Sequence, residues 1–511
     1  MSTATPTEHI EILDVEGRPN HVVLAKNALG LKGLFFCIAT AAAPLTAILF
    51  NTPVTVSGSG WAAPAAFIVA LAMLLVFTVG YVQMARKVSG AGGFYSFVSH
   101  GFGQAAGLGT AVVVTASYVI LTGALLGTLA YFANTTVNDW IGLDLPTWLI
   151  IYAVIAIDLV FAWFRITLTA KVLGAFFVTE ILAALVFAGS VFIHGGDSGF
   201  SAAPLNPVEL FSNPGAIAVF GAGAVGIALF GAFWSWIGFE MAPNYSEESS
   251  DHATITARAT YASLIAIGVI LTVVVYAFVI GWGPQNAATA VSDQFAGKYA
   301  SAYYPLTDRY VGAWLTHVWE LLIVTSCFAC QLAFFNTASR YVFALGRERL
   351  LPARFGTTTT DHKSPLNASY LVAAVAGLWT GAFLLEDASP TGVLLKLATW
   401  SPLLGVLGIL LVQALCSAAI IRYFLTTARA DFHWWRTFVA PILGAASMLL
   451  SAELLVTNRE TLAGAQDVPF VSIFPWVVPV LFAVGVVAAV WFRQRDTTRY
   501  EAIGRFVHSE I

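Results

Sequence analysis

Charge is what this chain lacks most. Only 10% of its 511 residues are Asp, Glu, Lys or Arg, against about 25% in an average soluble domain. A large water-soluble domain is excluded. The net charge of -4 points to no particular partner, and no basic cluster marks a nucleic-acid surface. Cysteine is scarce as well: Cys37, Cys327, Cys330 and Cys416 all fall in apolar runs. The lone C-x-x-C from Cys327 to Cys330 has no second pair, so the four read as small core residues rather than a metal or redox centre. No metal and no cofactor are expected. Histidine is thinly scattered, with His100, His252, His317 and His362 in separate loops and span ends. The clustered acid, base or thiol of a membrane-embedded enzyme is missing, and no catalytic residue is named. Residues 1–25 are polar and slightly acidic, without the apolar core and cleavage site of a secretory signal.

What the chain has instead is apolar sequence, 58% of all residues, much of it in runs of about 18 residues or more. Twelve candidate spans lie near 33–50, 62–84, 104–133, 147–164, 170–194, 215–242, 255–282, 311–346, 366–386, 393–423, 438–457 and 472–493. The expected class is all-α, a polytopic membrane protein with 12 transmembrane helices. It divides into a 1–32 tail, ten spans over 33–423, two more over 424–493, and a 494–511 tail. An even span count puts both termini on one face. All but four of the 24 Lys and Arg residues fall on that face, the exceptions being Lys298, Arg309, Lys396 and Arg459. The positive-inside rule therefore predicts cytoplasmic termini and a place in the cell membrane. The loop over 283–310 is polar and is expected to be partly ordered by Tyr303 and Tyr304.

The most informative stretch runs from Ala228 to Ser250, ALFGAFWSWIGFEMAPNYSEESS. It starts as an apolar helix, stalls at Phe233, Trp234, Ser235, Trp236, Ile237 and Gly238, and then carries a carboxylate, Glu240, at membrane depth. A charge near the bilayer centre costs on the order of 3 kcal/mol on insertion scales and usually faces a cavity or a partner. Gly238 is a place where the helix can break. Broken backbone at that depth is tolerated only where it is buried in protein or lines a water-filled cavity. The stretch is expected to wall a solute site.

Four segments taken together resemble one family, the amino acid–polyamine–organocation (APC) superfamily of secondary transporters, of the amino acid permease type. They are ATAAAPLTAILFNTP at 39–53, GYVQMARKVSGAGGFYSFVSHGFGQAAGLG at 80–109, FWSWIGFEMAPNYSEE of span six, and SRYVFALGRERLLPARF at 339–355 followed by KSPLNA at 363–368. The resemblance implies a LeuT-like fold, two inverted five-helix repeats plus two peripheral helices, with spans one and six interrupted near the midplane. Pro44 agrees with this physically, since it lacks the N–H that would continue span one. The break is placed at Ala42, Ala43, Pro44, Leu45 and Thr46. Many amino acid carriers have a glycine-rich turn there whose bare amides hold an α-carboxylate; this chain has alanines, proline and threonine, closer to some amine and putrescine importers.

The resemblance also assigns roles. Trp234, Ser235, Trp236, Ile237 and Gly238 match the substrate-contacting positions of span six, with Trp234 as gate. Glu240 and Glu180, the latter mid-span five, are candidate carriers of a coupling proton. Tyr118 in span three is expected to line the outer vestibule, and Trp400 in span ten to act as a second gate. Asn336, Thr337 and Ser339 are candidate cation ligands. Asp158 is expected to pair with Arg165, and Arg340, Arg347 and Arg349 to anchor the cytoplasmic end of span eight. The function expected is a permease for a small amino acid or related amine, proton-coupled or exchanging, working as a monomer or homodimer in a lipid bilayer. The alternative is an importer of polyamines or other cationic amines.

Overall fold

The computed structural model describes residues 24–25, 27–88, 92–164, 166–212, 224–249, 252–464 and 468–504. Among them the structure is helical, without a strand, and the single isolated bridge joins Leu29 to Ser249. The long helices are α1 (Leu31–Ala41), α2 (Thr52–Ser59), α3 (Ala63–Ala85), α4 (Gly93–Phe102) and α5 (Gln104–Ile141). They continue with α6 (Thr147–Trp163), α7 (Ile166–His194), α8 (Ala224–Trp234), α9 (His252–Trp282) and α10 (Ala313–Arg347). The last are α11 (Leu366–Glu386), α12 (Ala398–Thr426), α13 (Ala440–Thr457) and α14 (Pro469–Arg495). Ten helical stretches among the described residues are long and apolar enough to cross a membrane. The first, Leu31–Lys87, runs 57 residues, about twice what one crossing needs, and α6 at 17 residues is a shorter apolar helix. The chain is thus an all-helical, multi-pass membrane protein.

The loop over 283–310 is more ordered than its polar sequence implies. It holds helices Ala287–Phe295 and Tyr304–Tyr310, and Tyr303 is fully buried against Phe278, Phe187 and Trp319.

Helix α5 is the hub: α10, α12 and α14 all pack along it, and α4 covers its start. In lipid there is little hydrophobic drive between helices, so close contact through small residues holds them together. The contact of α14 with α5 is of that kind. A Cβ added at Gly485 would lie 2.6 Å from the Gly109 Cα and 2.6 Å from the Leu108 carbonyl oxygen. Two backbones touch there with no side chain between them. Gly485→Val should therefore push α14 off α5, at an overpacking cost of about 1–3 kcal/mol. A lowered melting temperature in detergent is the expected readout. Gly189→Ala, where nothing lies within 4 Å of the added carbon, should melt no lower than wild type.

Candidate functional site

Two helices are interrupted, and the interruptions meet. The first lies between α1 and α2. Helix α1 ends at Ala41, Ala43 takes a left-handed φ of 41°, and the chain resumes as Pro44–Thr46, a wide π turn over Ala47–Asn51, and then α2. Left-handed backbone costs a non-glycine residue roughly 1–2 kcal/mol, so surrounding contacts must hold it. They do. A resumed helix leaves its first N–H groups without partners. Pro44 has none to leave. The Leu45 amide donates to Glu180 Oε2 at 3.2 Å, and the Thr46 amide donates to Ser326 Oγ at 3.2 Å. The Thr46 hydroxyl also donates to Ser326 Oγ, at 3.0 Å, and Ser326 in turn donates to Glu180 Oε2, at 2.8 Å. Glu180, from the middle of α7, is the acceptor at the head of the resumed helix, where the helix dipole favours a carboxylate. Its Oε1 is buried without a partner. The Cys330 thiol donates to the carbonyl of Ala41 at 2.8 Å.

The second interruption follows α8. Helix ends at Trp234, Gly238 takes φ 116°, and a 3-10 segment over Phe239–Glu248 continues the chain. Glycine is required at 238 twice over. That φ strains a residue with a Cβ, and a Cβ there would sit 2.7 Å from the Ala41 Cβ at the first break. The Gly238 amide donates to Glu240 Oε2 at 3.0 Å, the Tyr118 hydroxyl donates to Glu240 Oε1 at 2.8 Å, and the Tyr81 hydroxyl donates to the Glu240 carbonyl at 2.6 Å. Glu240 thus ties the unwound backbone to α3 and α5. Helices α2 and α8 pack tightly beside each other, and a Cβ at Gly231 would meet the Thr55 hydroxyl at 2.6 Å.

A narrow crevice lies between the two breaks, α5 and α10. Its span-one wall is Ala42, Ala43, Thr46, Phe50 and Asn51; Trp234 and Ile237 form the span-six wall. Leu125 and Thr128 of α5 and Cys330 and Phe334 of α10 complete it. Trp234 is held edge-on by Phe50, ring centroids 5.5 Å apart. Among the described residues, no charged side chain lines the crevice.

The face toward the chain termini is closed. Arg340, on α10, donates from Nε to Glu248 Oε2 at 2.9 Å and from Nη2 to Glu248 Oε1 at 3.1 Å, with both side chains almost fully buried. Its guanidinium also lies 4.3 Å from the Tyr245 ring centroid. Arg347 makes a similar fork to Glu247. The Leu29 amide reaches the Glu248 carbonyl at 2.9 Å, which ties the segment before α1 into the same closure. A hollow beside this lock, lined by Asn336, His362 and Ser364, opens on the terminal face.

Several expected residues are placed elsewhere. Trp236 is fully buried, donates to the Leu264 carbonyl at 3.3 Å and leans on Phe67, turned away from the crevice. Trp400 stacks on Phe470 at 6.0 Å and donates to the Ala463 carbonyl at 3.0 Å, so it packs against the start of α14 and is not among the crevice-lining residues. Tyr118 lies beneath the crevice on Glu240, Phe334 and Tyr341 instead of lining a vestibule. Ser235 stands behind Asn51, and Pro44 and Gly238 shape the breaks without lining the crevice. Asn336 and Ser339 bond back to carbonyls of their own helix; the α10 residues that reach the first break are Ser326, Cys327 and Cys330. Asp158 is buried and accepts from Gln331 at 2.5 Å, while Arg165 lies outside the described residues. Arg340 and Arg347 stand at the terminal-face end of α10, as expected, but are buried and paired with Glu248 and Glu247.

Asn51 and Ser326 are not named by the sequence reading, and Cys330 is named there only as a small core residue. Ser326 is a polar residue inside an apolar run, which is a signal; Asn51 lies just past the 33–50 run.

The structure is thus an all-helical, multi-pass membrane protein in which two interrupted helices meet at a crevice. The family comparison agrees. Residues 29–493 match the model of the amino acid permease family, so the chain belongs to that family, within the APC superfamily. No curated protein matches it.

The closure extends past α10 to a titratable group. Glu348 is buried and accepts from the Gly504 amide at 3.0 Å, which docks the end of the chain. Burial pushes its carboxyl up to about 8, against the opposing pull of the Tyr95 phenol, the Gly504 amide and Arg347. A carboxyl raised in the folded state binds a proton that the unfolded chain has already lost, so its contribution to stability falls as pH rises from about 4.5 to about 8. Melting in detergent across that window should decline for wild type and decline less for Glu348→Gln.

Proposed function

We propose that the protein is a secondary active transporter that carries a small amino acid or related amine across the cell membrane by alternating access. The single observation behind this reading is the meeting of two interrupted helices at a crevice that is closed toward the terminal face. A closed lock on one face and a crevice on the other is what one state of an alternating carrier requires. In this reading twelve segments cross the membrane: the ten long stretches, with Leu31–Lys87 counted twice, and α6. They form a LeuT-like arrangement of two inverted five-helix repeats with α13 and α14 peripheral, and both termini are cytoplasmic. Release toward the cytoplasm requires the Arg340–Glu248 fork and the Leu29 contact to part.

Coupling is to protons or by exchange. Glu180 is the better-placed coupling group, because it touches α10 and the head of the resumed span-one helix at once and keeps one oxygen without a partner. Gain or loss of a proton there alters the hold on that helix. Glu240 has both oxygens engaged by Gly238 and Tyr118, the geometry of a group that holds the unwound segment in place. Neither carboxylate lines the crevice, which weighs against a polyamine as substrate.

The test is uptake into proteoliposomes from a labelled panel of amino acids and amines, with and without an inward proton gradient. Accumulation that collapses with the gradient, or uptake that accelerates with substrate on the far side, is the expected result. Trp234→Ala should raise KM at least tenfold. Uptake that only equilibrates, with no gradient dependence and no acceleration, would show a channel instead.

A further inference from the structure

The two breaks expose four helix ends to the crevice region, and the chain treats them differently. The resumed helices begin with N–H groups, and the protein's own carboxylates already hold them: Leu45 is bonded to Glu180 and Gly238 to Glu240. The Thr46 amide is taken by Ser326. A substrate carboxylate needs those same donors, and it would be placed close to Glu180. The other two ends are the C-terminal ends of α1 and α8, which carry partial negative charge. Their last carbonyls are met only by neutral donors. The Ala43 amide bonds to Thr40 O at 2.9 Å, the Cys330 thiol to Ala41 O, and the Trp236 and Ile237 amides to Phe233 O and Trp234 O. No ion pair among the described residues brings a cation to either end.

The side chains of the crevice wall repeat this polarity. Thr46 donates to Ser326, Thr128 donates to its own helix at Ala124 O, and Cys330 donates to Ala41 O. Asn51 is the exception with capacity to spare. Ser235 donates its only proton to Gly231 O at 2.8 Å, so it can only accept from Asn51 Nδ2, at 3.1 Å. That fixes the amide's orientation. Asn51 Oδ1 is left as a buried acceptor without a partner, on a residue only 5% exposed. A polar atom left so needs a donor. The rest of the wall is apolar, with Trp234, Ile237, Phe334 and Leu125.

We propose that the substrate is a small monoamine without a carboxylate, its ammonium group held by Asn51 Oδ1 and the converging C-terminal ends of α1 and α8, and its apolar body against Trp234 and Ile237. This rests on the transport reading above and narrows it. The ammonium supplies donors to a site that offers only acceptors. One such acceptor site suits one ammonium, not the two of a diamine.

The experiment compares matched pairs that differ only in the carboxylate: leucine with isoamylamine and phenylalanine with phenethylamine, plus putrescine. Wild-type proteoliposomes are used. Isoamylamine or phenethylamine should be taken up, or should compete, at least tenfold better than the parent amino acid and better than putrescine. Preference for leucine or phenylalanine over its amine overturns the inference and leaves the transport reading standing. No transport of any member overturns the transport reading, and the inference with it. Asn51→Leu should raise KM for the amine at least tenfold with kcat little changed. An unchanged KM removes Asn51 from the site. The wild-type comparison decides the substrate class even where that variant fails to fold.

Discussion

A backbone polar group at membrane depth must find a partner inside the protein, because lipid offers none. Everything unusual in this structure follows from that constraint. Breaking a helix frees amides and carbonyls, and two helices here are broken side by side. The cost is met by carboxylates that would themselves be expensive in lipid. Glu180 and Glu240 each cap one resumed segment, so each orphan amide finds a buried carboxyl oxygen. The arrangement explains why acidic residues sit mid-membrane in a chain with so few charges. Turned to those amides, neither carboxylate is among the residues that line the crevice.

The closure toward the terminal face depends on a second buried charge pair. Arg340 and Glu248 make a two-bond fork in the interior, and breaking such a pair leaves an uncompensated charge that costs on the order of 3–5 kcal/mol. Such a lock cannot part unless something compensates both charges, and water entering from the terminal face is the simplest candidate. The hollow that already reaches Arg340 and Glu248 from that face is the path it would take. The crevice and the closure are therefore built on different physics: a largely apolar wall between the two breaks, and a polar latch toward the terminal face.

The architecture was largely legible in the sequence. Long apolar runs gave the helices, Pro44 marked the first break, and Gly238 followed by Glu240 marked the second, since both residues are physically required by the backbone they form. What could not be read was where the helix stops and how the turn after it is aimed. Trp234 is the last residue of α8, Trp236 lies in the turn beyond it, and only Trp234 faces the crevice. The placement of Trp400 was out of reach for a different reason: its partners Phe470 and Ala463 lie over sixty residues away in sequence, and no local pattern reports a contact of that range. The apolar run over 33–50 puts Asn51 just past the end of span one. The wide turn over Ala47–Asn51 carries it back onto the crevice wall instead.

Side-specific access to the crevice is the most direct test of this account. Phe50, half-buried on the crevice wall, replaced by cysteine in a chain with the four native cysteines removed, gives a single reporter for a membrane-impermeant thiol reagent. The account predicts labelling from the face opposite the termini, slowed by a transported substrate, and little from the terminal face while the Arg340–Glu248 fork is intact. Labelling chiefly from the terminal face would contradict it, because the crevice would then open on the side where the latch is placed.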